Sequence, residues 1–95
     1  MRRLAITRRQ VPLDIVDDYL AMWDALRERV ITAGGRAWIF RGSGHQDRFI
    51  EFIEWSDEIA APLSLESVAD AAAELDMFAV PTSTDEWEEP RDLAG

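Results

Sequence analysis

The side chains best placed for chemistry in this sequence gather in and around one stretch, AWIFRGSGHQDRFIEFIEW at 37–55. His45 sits in a polar loop between two apolar runs. An imidazole there could act as a general base or ligand at the mouth of a cleft, although a solvated loop residue is the plainer reading. Glu51 and Glu54 stand among aromatic and β-branched neighbours. A carboxylate desolvated in such company becomes a stronger base and could abstract a proton. An arginine on an earlier strand would instead pair with it. Arg41 could clamp an anionic substrate or pair with one of these acids. Tyr19, Trp23, Trp38 and Trp55 are a large aromatic stock for a chain of 95 residues. They serve either as core or as the flat walls of a pocket for an aromatic ligand. The catalytic candidates are therefore His45, Glu51 and Arg41, and the pocket candidates are those four aromatic residues.

Absences narrow the chemistry further. The sequence has no cysteine, a single histidine and no lysine, every basic side chain being arginine. Schiff-base and phosphate-loop lysines, thiol nucleophiles and thiolate metal sites are excluded. A zinc site with two or three histidines from one chain is excluded as well, and no metal or cofactor is expected. GSG at 42–44 lacks the strand-to-helix context of a nucleophile elbow and reads as a turn. Asp14, Asp17 and Asp18 lack a calcium-loop pattern and read as a helix start.

Two strands must carry the central stretch. AWIFR and RFIEFIEW have strand composition, with turn residues between them. Phe49, Glu51, Ile53 and Trp55 fall on one face, and Ile50, Phe52 and Glu54 on the other. On the partner strand Trp38 and Phe40 share one side and Ala37 and Ile39 the other. Both faces are apolar, so the sheet must be covered twice. A first strand is read over Arg3–Val11 and ends at Pro12. Asp14 is expected to cap a helix reaching Ala33, with Val16, Tyr19, Leu20, Trp23, Leu26 and Val30 as its apolar stripe and Gly34-Gly35 as its stop. A second helix is read over Ser64–Phe78, capped by Ser64 or Ser67, and a fourth strand over Thr82–Glu89.

The order strand, helix, strand, strand, helix, strand is that of a ferredoxin-like α+β fold, with a four-stranded antiparallel sheet and two helices on one face. It is read as one domain over 1–89 followed by a short tail at 90–95. The net charge of −9 is divided between +3 over residues 1–50 and −12 over residues 51–95. In this topology the first strand is central, so Arg3, Arg8 and Arg9 should meet acids of the third and fourth strands. The acidic balance disfavours nucleic acid. No apolar run reaches the ~18 to 20 residues of a membrane span. MRRLAITRRQVPLD has no uninterrupted apolar core and is not read as a signal peptide, so a cytoplasmic location is expected.

The element order, the long helix YLAMWDALRERVITAGG and the hairpin ending DRFIEFIEW together resemble the dimeric α/β-barrel proteins, in particular the antibiotic-biosynthesis monooxygenase-like domains. The resemblance implies a homodimer of two sheets packed face to face as a barrel. It also implies a cleft between each sheet and its own helices that in some members holds a small organic molecule. Cofactor-free oxygenation, haem breakdown and isomerisation all occur in the group, as do members with no assigned activity. Haem-degrading members carry an iron-binding histidine on the second helix, and this one has none. Two functions stay open: a small-molecule enzyme or binding protein, and a non-catalytic accessory or regulatory homodimer. The residues themselves argue for the dimer, because two helices can cover only one face of the sheet.

Overall fold

A computed structural model describes residues 1–91 of the chain. Its elements are β1 (Arg2–Gln10), α1 (Val16–Thr32), β2 (Arg36–Gly42), β3 (His45–Ser56), α2 (Glu66–Phe78) and β4 (Pro81–Glu88). The strands form one sheet in the order β2-β3-β1-β4, with every neighbouring pair antiparallel. This is the ferredoxin-like βαββαβ arrangement, and β1 lies between β3 and β4 as the element order requires. No helix of the described residues is long and apolar enough to cross a membrane. The tail expected at 90–95 falls outside the described residues from 92 onward.

The register separates the two faces. Glu51 lies opposite both Thr7 and Ile39, and Ile53 lies opposite both Ala5 and Ala37. That face carries Ala5, Arg9, Ala37, Phe49, Glu51, Ile53 and Trp55, all buried under the helices. Tyr19, Trp23, Leu26 and Val30 of α1 and Val68 and Leu75 of α2 close the core from above. The other face carries Leu4, Ile6, Trp38, Phe40, Ile50, Phe52 and Trp87. Trp38 stacks on Phe52 with centroids 5.7 Å apart, and Phe40 meets Phe52 edge-on at 5.9 Å. No element among the described residues covers this cluster: Phe40 is 56% exposed and Trp87 61%.

Helix starts differ from the sequence reading. Asp14 does not cap α1; it lies in a 3-10 turn at Leu13–Ile15, and Ile15 holds the cap position without a side-chain bond. Ser64 and Ser67 do not cap α2 either. Ser64 closes a second 3-10 turn, Pro62–Ser64, where its hydroxyl donates to the Ala61 carbonyl at 2.6 Å, and Leu65 precedes the helix. In both places a proline with its fixed φ starts a tight turn that delays the α-helix by a few residues.

The stop of α1 is as expected. Gly34 has φ +92°, and a Cβ on Gly35 would approach Pro62 and Val30 to 3.0 Å and the Glu54 carbonyl to 3.1 Å. The first glycine supplies the left-handed turn, and the second lets the chain pass beneath the core. The hairpin turn is shorter than the sequence suggested: only Ser43 and Gly44 link β2 to β3, so His45 begins a strand.

β4 buries almost nothing and is held by its ladder to β1 and by charge. Arg3 meets Glu88 at 3.1 Å, Arg8 meets Asp85 at 3.1 Å, and Arg2 meets Glu89 at 3.2 Å. The basic first half and acidic second half of the chain are thus neighbours across one sheet.

Candidate functional site

The helix-side centre of the sheet is built around Glu51. Strand alternation aims it inward among Phe49, Ile53 and Trp55, where it retains only 3% exposure. A carboxylate in such a place needs partners. Arg9 enters from β1 one row away, a diagonal that a long side chain can span. Its Nε donates to Glu51 Oε2 at 2.6 Å and its Nη2 to Oε1 at 3.2 Å, a two-pronged pair. The third guanidinium nitrogen, Nη1, donates to the Ala79 carbonyl at 2.6 Å and meets Asp76 at 2.8 Å. Tyr19 of α1 donates its hydroxyl to Glu51 Oε2 from above. Every buried side-chain nitrogen and oxygen among the described residues has a partner.

These contacts set the protonation behaviour. Burial alone would lower the Arg9 pKa, but the hydrogen bonds and charges of Glu51 and Asp76 outweigh it and hold the guanidinium above its ordinary value. Burial also raises the Tyr19 phenol far above its ordinary value, and the charge of Glu51 and their hydrogen bond push the same way. Tyr19 is therefore a hydrogen-bond donor and not a base. Both Glu51 oxygens are engaged, so the triad positions groups and does not offer a free carboxylate.

A pH consequence follows with a definite sign. A phenol whose folded pKa lies above its unfolded value contributes stability fully below about pH 10 and loses it as pH rises beyond that toward the folded pKa. Tyr19 is the sole tyrosine of the chain, so phenolate absorbance reports on it alone. We expect phenolate to appear only together with loss of the near-ultraviolet circular dichroism of the native core. Ordinary titration near pH 10 with that dichroism intact would contradict the buried hydrogen bond.

A cleft of about 220 Å³ opens beside this triad. α2 borders it through Ala72 and Asp76, and the helix-side residues of β4, Thr84 and Glu86, are exposed beside it. Arg9, Glu51 and Asp76 contribute to its polar lining together with Thr7 and with Thr84, Asp85 and Glu86 of β4, and Leu26, Ile53 and Leu63 to its apolar wall.

The sequence candidates divide between separate places. Glu51 is at the centre. Arg41 sits 4.9 Å over the Phe49 ring, which in turn packs 5.1 Å from Tyr19. His45 is exposed beside the hairpin turn, away from the cleft. Tyr19, Trp23 and Trp55 fill the core, and Trp38 lies on the opposite face of the sheet. None of those four lines the cleft. Arg9 was legible as a partner for an acid of β3. Asp76 and the Ala79 carbonyl, at the end of α2, were not, because nothing in the local sequence shows where a helix end will sit over a sheet.

No protein-family model matches the sequence, and no curated protein matches it. Solved structures do. SnoaB, a cofactor-independent oxygenase from Streptomyces nogalater, aligns over 99% of this chain and 98% of its own, with TM-score 0.76 at 11% identity. Rv0793 from Mycobacterium tuberculosis aligns over 99% and 100%, with TM-score 0.77 at 12% identity. An antibiotic biosynthesis monooxygenase aligns over 96% and 100%, with TM-score 0.71 at 13% identity. The chain has the ferredoxin-like fold of the antibiotic biosynthesis monooxygenase-like proteins.

Proposed function

We propose that the protein is a cytoplasmic, monooxygenase-like homodimer that binds a small aromatic or hydrophobic molecule in its helix-side cleft and transforms it without a cofactor. The observation that carries this reading is the cleft itself: an opening beside a buried, fully bonded Arg9–Glu51–Tyr19 triad, with an apolar wall under α2. In that role Arg9 and Glu51 form a fixed polar lining that orients the ligand. The walls exclude water, and the second copy covers the Trp38 and Phe52 face of the sheet.

A non-catalytic accessory homodimer is the second reading. It is favoured by the complete engagement of Glu51, by the cleft's volume of about 220 Å³, below the ~300 Å³ at which small-molecule sites begin, and by Trp23, which at 1% exposure fills space a larger ligand would need. A thermal-shift screen against small aromatic compounds separates the two. Binding raises the melting temperature, and compounds that bind are then tested for oxygen consumption without added metal or flavin. Stabilisation with oxygen uptake is the expected result. Stabilisation without uptake leaves a binding protein, and no stabilisation by any compound favours the accessory role.

A further inference from the structure

The helix-side cleft carries a charge pattern that selects among the molecules it could hold. Small side chains on one face of the sheet line it, Ala5 and Thr7 of β1 and Thr84 of β4, with Ala72 of α2 beside them. The register sets Thr7 opposite Thr84 and Ala5 opposite Glu86, so Glu86 shares that face. Asp85 alternates to the opposite face, where Arg8 holds its carboxylate at 3.1 Å.

Arg9 is the one cation among the described residues that line the cleft, and its donors are already taken. Its Nε and Nη2 bond the two Glu51 oxygens, and its Nη1 serves the Ala79 carbonyl and Asp76. Arg3, the next arginine along the same face, is held by Glu88 at 3.1 Å. The acids are less committed. Glu86 is exposed and has no ion pair among the described residues. Asp76 meets Arg9 through Oδ1, and its side chain is 50% exposed. The Thr7 and Thr84 side chains make no hydrogen bond among the described residues. One cation therefore faces the three carboxylates of Glu51, Asp76 and Glu86. Every polar group still open to a ligand can accept a hydrogen bond, and no cationic donor is free.

We infer that the cleft takes a small organic cation, a primary ammonium on a single-ring body, in preference to the matching alcohol or carboxylate. The inference rests on the reading of this cleft as a small-molecule site and names the class of molecule. The three ammonium donors would be shared among Asp76, Glu86 and the threonine hydroxyls, and the body would lie on Ala5, Leu26 and Leu63. A charge inside an opening of about 220 Å³ feels both acids, since exposed charges interact over a screening length of ~8–10 Å. A volume below that of drug-sized sites keeps the body small.

Amide chemical shifts of the full chain, titrated separately with benzylamine, benzyl alcohol and benzoate, test it. Benzylamine should shift the amides of Ala5, Thr7, Ala72 and Thr84 saturably. It should bind there about tenfold more tightly than the alcohol or the carboxylate. Glu86→Gln should weaken benzylamine about threefold or more. Glu74→Gln, the same charge change at an exposed position of α2 outside the cleft, should not. Equal weakening by both variants would trace the attraction to the net charge of −9 and overturn the inference. So would benzyl alcohol or benzoate binding as tightly as benzylamine at those amides, a result that keeps the cleft as a small-molecule site. Shifts there from none of the three would overturn the inference and the reading of the cleft together.

Discussion

Arg9→Ala lowers the free energy of unfolding by about 3–5 kcal/mol, read from the midpoint of urea denaturation. The substitution removes both prongs on Glu51 and the contact to the Ala79 carbonyl, and it leaves the 3%-exposed carboxylate without its counter-charge. Domains of this size have ~5–15 kcal/mol in total, so the variant is close to unfolding at room temperature. The cost comes from the orphaned charge more than from any large net gain by the pair. Replacing the network together, Arg9→Met with Glu51→Leu and Tyr19→Phe, should therefore recover most of the loss. A single Arg9→Ala effect below about 1 kcal/mol would mean that water reaches Glu51 and that the triad is no brace.

In the proposed homodimer, Trp38→Asp should separate the subunits while leaving the fold intact. Trp38 lies on the uncovered face of edge strand β2, stacked on Phe52, with Leu4, Ile6 and Ile50 completing the patch. A stable interface here should bury about 1,200 Å² or more in total, with an apolar centre. A carboxylate placed in that centre loses an aromatic anchor and strands a charge. Together these raise the dimer dissociation constant by about a thousandfold, the scale of a central hot spot. Sedimentation should show a wild-type dimer at micromolar concentration and a Trp38→Asp monomer with unchanged far-ultraviolet dichroism. Ser43→Asp, at the hairpin turn, should change neither. A wild-type monomer at that concentration would remove the dimer from the proposed function and leave the sheet face unexplained.

Much of the architecture is readable from local pattern. The alternation in RFIEFIEW sorts Phe49, Ile53 and Trp55 from Ile50 and Phe52, and the register places Trp38 and Phe40 with the second set, as strand geometry demands. The pairing of early arginines with late acids follows from topology alone, since β1 is central. What is not readable depends on longer distances. The 3-10 turns at Pro12 and Pro62 displace the helix starts past Asp14 and Ser64 and leave Ser67 inside the first turn of α2, because capping preference competes with proline geometry two residues away. β4 has one large apolar side chain, Trp87, and it is ordered by its partner strand and not by its own pattern. The Tyr19 contact to Glu51 joins a helix to a strand 32 residues later, and its phase depends on how α1 seats on the sheet. Alternation through the hairpin sets Trp38 with Phe40, Ile50 and Phe52, and Trp55 with Ile39, Phe49 and Ile53, and the register places them so.

The outer position of β4 bears on how the protein behaves in concentrated solution. An outermost strand offers unpaired backbone groups to any other chain, the route by which sheets grow into aggregates. β4 opens with Pro81, which cannot donate, and its last four residues include Asp85, Glu86 and Glu88. Two such borders brought together repel at neutral pH. That repulsion depends on ionised carboxylates, and the molecule as a whole approaches zero net charge near its isoelectric point of about 4.4. Mild acid should therefore remove both safeguards at once, local and global, and bring precipitation before unfolding.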